Sequence, residues 1–344
     1  MRYHPRIGFT YMPSAQLRIQ GTNGGYLARS NASGFRSDRE FVDNRGTGAF
    51  RALFFGDSQA AGDGVANPLR FTDLVEKRLA GLEIYNYGLS GSGTDQQFLT
   101  YEENRSVEHD LVVIVLYAEN VRRNARRVLR SQDANGEVLF RAKPYYDVVD
   151  DSLVLRNVPV PRQVWSAATL PQELVPHVHV YGEEYSFFRE PSRHHSVLLK
   201  RLAPAGPLRR AAKAALTPFR RFQPLPEYDT PDNPDWRLLR KILETWIAGS
   251  RTPVLLVPLP HETALTRGSD PANCQARFRE LARDTGCHVY DPLDDLLALE
   301  DAEPGALWSS AYGHLSAAGH EAMAGLLAPV LQALMAQRPA TDSP

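Results

Sequence analysis

Arg51-Ala52-Leu53-Phe54-Phe55-Gly56-Asp57-Ser58 is the stretch on which the reading of this chain turns. Its first five residues form a short apolar run, and the run stops at a Gly-Asp-Ser turn. A short apolar run bounded by a turn signal reads as a buried strand that delivers the turn. Downstream, residues 71–82 have helical spacing, with Leu74, Val75, Arg78 and Leu79 alternating between faces. Ile84-Tyr85-Asn86-Tyr87 reads as a second strand, followed by Gly88-Leu89-Ser90-Gly91-Ser92-Gly93. A third strand runs from Asp110 to Tyr117, and apolar runs of this kind suit a parallel sheet covered on both faces. Regular alternation stops between Arg122 and Gly249. It resumes with a fourth strand at 252–258, a helix at 273–285, a fifth strand at 287–291, and a closing helix from about His314 to Gln337.

Strands alternating with helices at this spacing predict an α/β fold: a three-layer α/β/α sandwich around a central parallel five-stranded sheet. The expected organisation is a lead-in of short β pieces and turns over 1–48, a discontinuous core of 49–121 and 250–337, and an insertion over 122–249. The Asn-Gly and Ser-Gly dipeptides of the lead-in break any helical period. A chain of 344 residues, 43% hydrophobic and 23% charged, is long enough to bury a core with a catalytic cleft. Its formal net charge of −1 gives no electrostatic drive toward nucleic acid. Two cysteines exclude a disulfide framework.

The Gly56-Asp57-Ser58 turn carries the chemistry. A serine at the carboxyl end of the first parallel strand sits where open α/β sheets bind ligands. If the turn opens a helix, the Ser58 N–H points into the cleft and can donate to a developing oxyanion. The competing structural reading is that Asp57 and Ser58 simply cap that helix. A phosphate-binding loop is ruled out because Asp63, not Lys, follows Gly62, and a Gly-x-Ser-x-Gly elbow fails at Ala60. His314, just before the last helix, is a candidate general base for Ser58. His320, six residues on, reads as structural. Gly91 after the second strand and Asn120 after the third lie on the same sheet edge as Ser58. Their N–H groups are candidate oxyanion donors.

These four blocks, Gly56-Asp57-Ser58, the Gly91 loop after Tyr85-Asn86-Tyr87-Gly88, Asn120 in Tyr117-Ala118-Glu119-Asn120, and His314, resemble the SGNH or GDSL-type hydrolases. The resemblance covers residues 51–121 and 252–336; more loosely, residues 22–41 and Gly93-Thr94-Asp95-Gln96-Gln97 resemble a bacterial subgroup. It implies Ser58 as nucleophile, His314 as base, and Ser58, Gly91 and Asn120 as the oxyanion hole. Members are esterases, lipases, thioesterases, O-deacetylases and O-acetyltransferases. The expected function is therefore hydrolysis of an acyl ester, an O-acetyl group for example, through a Ser58–His314 dyad. An O-acyltransferase using the same residues and a non-catalytic glycan- or partner-binding protein are the alternatives.

The last block departs from the family pattern. An acid usually stands two or three residues before the histidine, and here those positions are Tyr312 and Ala311. Such an acid holds the imidazole in the right tautomer, and a wrongly oriented base costs on the order of 10⁴ in rate. Three outcomes are open: a backbone carbonyl orients His314, a remote carboxylate (Asp291, Asp294, Asp295, Glu300 or Asp301) replaces the acid, or hydrolytic activity is lost.

Residues 189–222 carry nine basic side chains against Glu190, with Leu208, Ala211, Ala212, Ala215, Leu216 and Phe219 on one helical face. This is either a solvated helix or a contact for a membrane surface, an acidic glycan or a thioester acyl donor. Arg122, Arg123, Arg126, Arg127 and Arg130 are placed to steer an anionic substrate. The expected partner is a small-molecule or carbohydrate ester. No cofactor or metal is expected: His177-x-His179, His194-His195 and His320-Glu321 lack accompanying ligands, and Cys274 and Cys287 read as buried hydrophobes. Residues 1–20 have no apolar h-region, so the sequence as written predicts a cytoplasmic chain, or an exported or membrane-associated one if Met1 follows a truncation.

Overall fold

A computed structural model describes residues 1–20, 25–43, 49–133, 135–179, 225–309 and 313–338. Its centre is a five-stranded sheet of β1 (Phe50–Gly56), β2 (Leu82–Asn86), β3 (Leu111–Tyr117), β4 (Val254–Leu259) and β5 (His288–Val289). The strand order is β2-β1-β3-β4-β5 and every pairing is parallel. Successive residues of each strand point to opposite faces. Leu53 and Phe55 of β1 thus join Val112, Ile114 and Leu116 in one apolar cluster, while Ala52 and Phe54 join Val113 and Val115 in the other. Both faces are covered, which is why the strands read as nearly unbroken apolar runs rather than as alternations.

On the first face lie α2 (Thr94–Asn104), α3 (Pro234–Gly249) and α4 (Ala272–Thr285); on the second lie α1 (Phe71–Arg78), α5 (Leu293–Ala302) and α6 (Ala317–Ala336). The expected three-layer sandwich is what the chain forms. One helix of the core was not traced from the sequence. Helix α3 falls inside the span read as the insertion, yet it packs against the sheet as the crossover between β3 and β4. Parallel neighbours need such a crossover. Asn233 caps it, its side chain accepting from the Asp235 N–H at 3.0 Å, and Pro234 occupies the first turn, where its missing N–H costs nothing. Trp236, Leu239, Ile242, Leu243 and Trp246 form its buried stripe.

The lead-in forms two hairpins, Arg2–His4 with Gly8–Thr10 and Gln16–Ile19 with Tyr26–Arg29. Residues 128–179 add a small sheet of Val128–Gln132, Val138–Ala142, Val164–Ser166 and Val178–His179, and a hairpin of Tyr145–Val149 with Ser152–Arg156. The sequence predicted no strands there, because each is at most five residues long and most are half-exposed. The basic stretch 189–222 lies outside the described residues. Among the described residues no helix is long and apolar enough to cross a membrane.

His320, read from sequence as structural, lies in α6 and is buried. Its Nδ1 accepts from the Phe71 N–H at 3.2 Å and its ring stacks on Phe71 at 5.8 Å between centroids. Burial, reinforced by Arg70, Arg36 and His314, lowers its pKa to about 3. The unfolded chain takes up this proton near the ordinary histidine value of about 6.5, whereas the folded chain resists it until about pH 3. Stability is therefore lost as pH falls through that window, by about 1.4 kcal/mol per unit from this one group. Urea unfolding between pH 7 and 4 should show this slope, and His320→Asn should flatten it. An unchanged slope in the variant would assign the acid sensitivity elsewhere.

Candidate active site

The strand order reverses direction between β1 and β3, and ligands of open α/β sheets bind off the carboxyl ends at such a switch point. Ser58 follows β1 and Asn120 follows β3, so they flank that crevice. Ser58 opens a single helical turn, Ser58–Ala61, capped by Asp57, whose carboxylate accepts from the Gln59 N–H at 2.8 Å. The capping reading of Asp57 is thus correct, and it coexists with a serine at the carboxyl end of β1. Gly56 has no alternative: a Cβ there would meet the Ala60 Cβ at 2.6 Å and the Val115 carbonyl oxygen at 2.9 Å.

The structure brings His314 to Ser58. Nε2 of His314 lies 2.7 Å from Ser58 Oγ, across 256 residues of sequence. Nδ1 of His314 is buried and has no hydrogen-bond partner among the described residues. Neither orienting group named from sequence is present among them. Asp291 accepts from Leu293 N–H and Gln275 Nε2, at 3.0 and 2.9 Å; Asp295 accepts from the Tyr290 hydroxyl, Glu300 from the Gly305 N–H, and Asp301 pairs with Arg267. Asp294 makes no hydrogen bond to the imidazole. The four with partners are committed to their own helix ends and surface, and none of the five reaches the histidine. Tyr312 and Ala311 lie outside the described residues.

The Gly91 loop is tied to the serine turn through backbone bonds, with Tyr87 N–H to the Phe54 carbonyl at 2.7 Å and Leu89 N–H to the Gly56 carbonyl at 3.0 Å. Gly91 itself has φ +83°, a conformation that favours glycine. The lead-in holds this loop from outside. The Tyr11 hydroxyl accepts from the Ser90 N–H at 2.9 Å and donates to Ser90 Oγ at 2.5 Å, and Ser90 Oγ donates to Asp63 at 2.7 Å. Burial and the Asp63 charge push the Tyr11 phenol up, so it stays a neutral donor.

Asn120, buried after β3, directs Nδ2 to the Asp57 carboxylate. A carboxamide nitrogen carries two N–H bonds, and one of them serves Asp57. Burial raises the Asp57 pKa, opposed by the Arg123 charge and the Gln59 N–H. Arg123 also donates to the Ser92 carbonyl at 3.3 Å, joining the third block to the second. Of the arginines read as steering a substrate, Arg122 pairs with Glu227 and Arg127 sits over the Tyr145 ring at 4.6 Å. Gln59 and Tyr11 were not singled out from sequence, while Asp57 was read only as a helix cap and Arg123 only as one of the steering arginines. Only Asp57 and Gln59 carry a local signal, their adjacency to Ser58. No group of three or more metal-ligating side chains occurs among the described residues, and Cys274 and Cys287 are free thiols, burial raising both pKa values.

No family model matches this chain, and no curated protein does. Solved structures do. One is a member of the lipolytic protein G-D-S-L family from Veillonella parvula, 10% identical, with 83% of this chain and 99% of that one aligned at a TM-score of 0.42. Another is a lipase/acylhydrolase from Enterococcus faecalis, 15% identical, with 86% and 100% aligned at 0.39. A third is a variant acetyl xylan esterase from Geobacillus stearothermophilus, 13% identical, with 86% and 99% aligned at 0.42. At these identities and TM-scores the likeness carries no argument: the fold is read from the sheet itself, and the chemistry from the side chains.

Proposed function

We propose that this chain is a serine ester hydrolase of the SGNH type, acting on an acyl ester such as an O-acetyl group through a Ser58–His314 dyad. The observation that carries this reading is the 2.7 Å approach of His314 Nε2 to Ser58 Oγ at the switch point of the sheet. A serine hydroxyl is a weak nucleophile until an adjacent base takes its proton. In the first half-reaction Ser58 Oγ attacks the ester carbonyl while His314 Nε2 accepts the hydroxyl proton. The oxyanion forms against the N–H groups of Ser58 and Gly91 and the second N–H of Asn120. Collapse breaks the bond to the alcohol, which leaves with the proton from His314. Water, deprotonated by the same imidazole, then attacks the acyl-enzyme and releases the acid and free Ser58.

The test is intact-mass analysis after exposure to a fluorophosphonate, which phosphonylates activated serines. One adduct is expected on the wild type and none on Ser58→Ala. No adduct on folded wild type would sink the dyad and leave the fold as a binding scaffold.

A further inference from the structure

We propose that Gln59 is the positioning residue for His314, its carboxamide clamping the backbone on both sides of the histidine. Gln59 Nε2 donates to the Gly313 carbonyl at 3.1 Å, and Gln59 Oε1 accepts from the Leu315 N–H at 3.2 Å. Donor and acceptor of one planar amide thus meet the peptide groups that flank His314, as a neighbouring strand would. The side chain is buried, and in such surroundings hydrogen bonds are strong and costly to leave unmade.

Two further features make this clamp a coupling between nucleophile and base. Gln59 is the residue after Ser58, and its own N–H is held by Asp57 at 2.8 Å. The frame that fixes the Ser58 backbone therefore also fixes the His314 backbone. Behind the histidine, Ser309 and His314 pair in a two-residue antiparallel ladder, so the backbone is held on that side too. With Nδ1 unpartnered among the described residues, the imidazole is aimed by where its Cα is held rather than by a carboxylate on its ring. The clamp acts in place of the acid that Tyr312 and Ala311 do not supply. Displacement of a reacting group by about 1 Å can cost about 10²-fold in rate, which sets the expected size of the effect.

This inference rests on the dyad reading, and its test separates the two. Gln59→Met keeps the length of the side chain and removes both bonds; Gln59→Glu keeps the acceptor for Leu315 and loses the donor at neutral pH. For each, three quantities are measured: exchange of the Leu315 amide, the fluorophosphonate labelling rate, and kcat and KM on p-nitrophenyl acetate. In Gln59→Met the Leu315 amide should exchange at least about 10-fold faster while β1 and β3 amides are unchanged. Labelling and kcat should fall about 10²-fold with KM within about two-fold. Gln59→Glu should lie between. Equal Leu315 protection in all three proteins would overturn the clamp. Faster exchange with unchanged kcat would make Gln59 a structural residue only and overturn the positioning role. A wild type that takes no probe would instead remove the dyad, and with it the positioning role, while the exchange arm still judges the clamp.

Discussion

His314→Ala is expected to slow phosphonylation of Ser58 by about 10²–10⁴-fold, the contribution of a positioned general base, while the fold persists. His314 is only partly buried, and among the described residues its one side-chain hydrogen bond is the 2.7 Å approach to Ser58, so removing the ring breaks no buried ion pair among them. The hydroxyl proton then has to leave without the imidazole that lies 2.7 Å from Ser58 Oγ. Asn120→Ala should behave differently. It removes an oxyanion donor, for which about 2.7–4 kcal/mol of transition-state stabilisation is typical, and also strips the Asp57 carboxylate of its amide partner. Loss of rate together with loss of stability is therefore expected for Asn120→Ala, and loss of rate alone for His314→Ala. Labelling rates and melting temperatures of both variants separate the cases. A His314→Ala protein that labels as fast as wild type would show that the imidazole is not the base.

How much of this was legible beforehand follows from where each signal lies along the chain. Strands such as Leu111–Tyr117 are readable because burial on both faces demands an apolar side chain at every position. Ser58, Gly91 and Asn120 are readable because a parallel sheet delivers each at a strand's carboxyl end. Helix α3 has a clear apolar stripe in Trp236, Leu239, Ile242, Leu243 and Trp246, at helical spacing. It was absorbed into the insertion because the chain before it is rich in proline and breaks the alternation by which the core was traced. The strands of residues 128–166 have no such stripe. Contacts that bridge distant residues leave no local trace at all: Gln59 meets Gly313 across 254 residues and Tyr11 meets Ser90 across 79. Its position beside Ser58 marks Gln59 as near the chemistry, but the partners that give it a task are set only by folding.

The largest stability effect is expected at another such pair, Lys143 and Asp95. Both side chains are almost completely buried, Lys143 Nζ bonding the Asp95 carboxylate and the Arg123 carbonyl, the latter at 3.0 Å. Burial drives the Lys143 pKa down and the Asp95 pKa up, each opposed by its partner's charge. Such a pair adds little net stability over an apolar replacement, yet breaking it by removing one member costs about 3–5 kcal/mol because a buried charge is left alone. Lys143→Met should therefore unfold at markedly lower urea than wild type at pH 7. Lys143→Met with Asp95→Asn should recover most of the loss, since the carboxamide retains an acceptor for the Gln96 N–H that Asp95 holds at 2.9 Å. The pH dependence gives an independent sign. Without the lysine, the folded-state pKa of Asp95 rises further above its unfolded value, so protonation favours the folded variant. The gap to wild type should be widest above that raised pKa and narrow as pH falls through it, with the His320 slope cancelling because both proteins share it. A gap under about 1 kcal/mol, or one that does not vary with pH, would mean that the Asp95 carboxyl finds other support when the lysine is gone. Asp95 opens helix α2 directly behind the Gly91 loop, and its N–H donates to Asn124 at 3.0 Å. Lys143→Met should therefore also loosen the loop that carries an oxyanion donor, and its residual activity should fall further than its folded fraction.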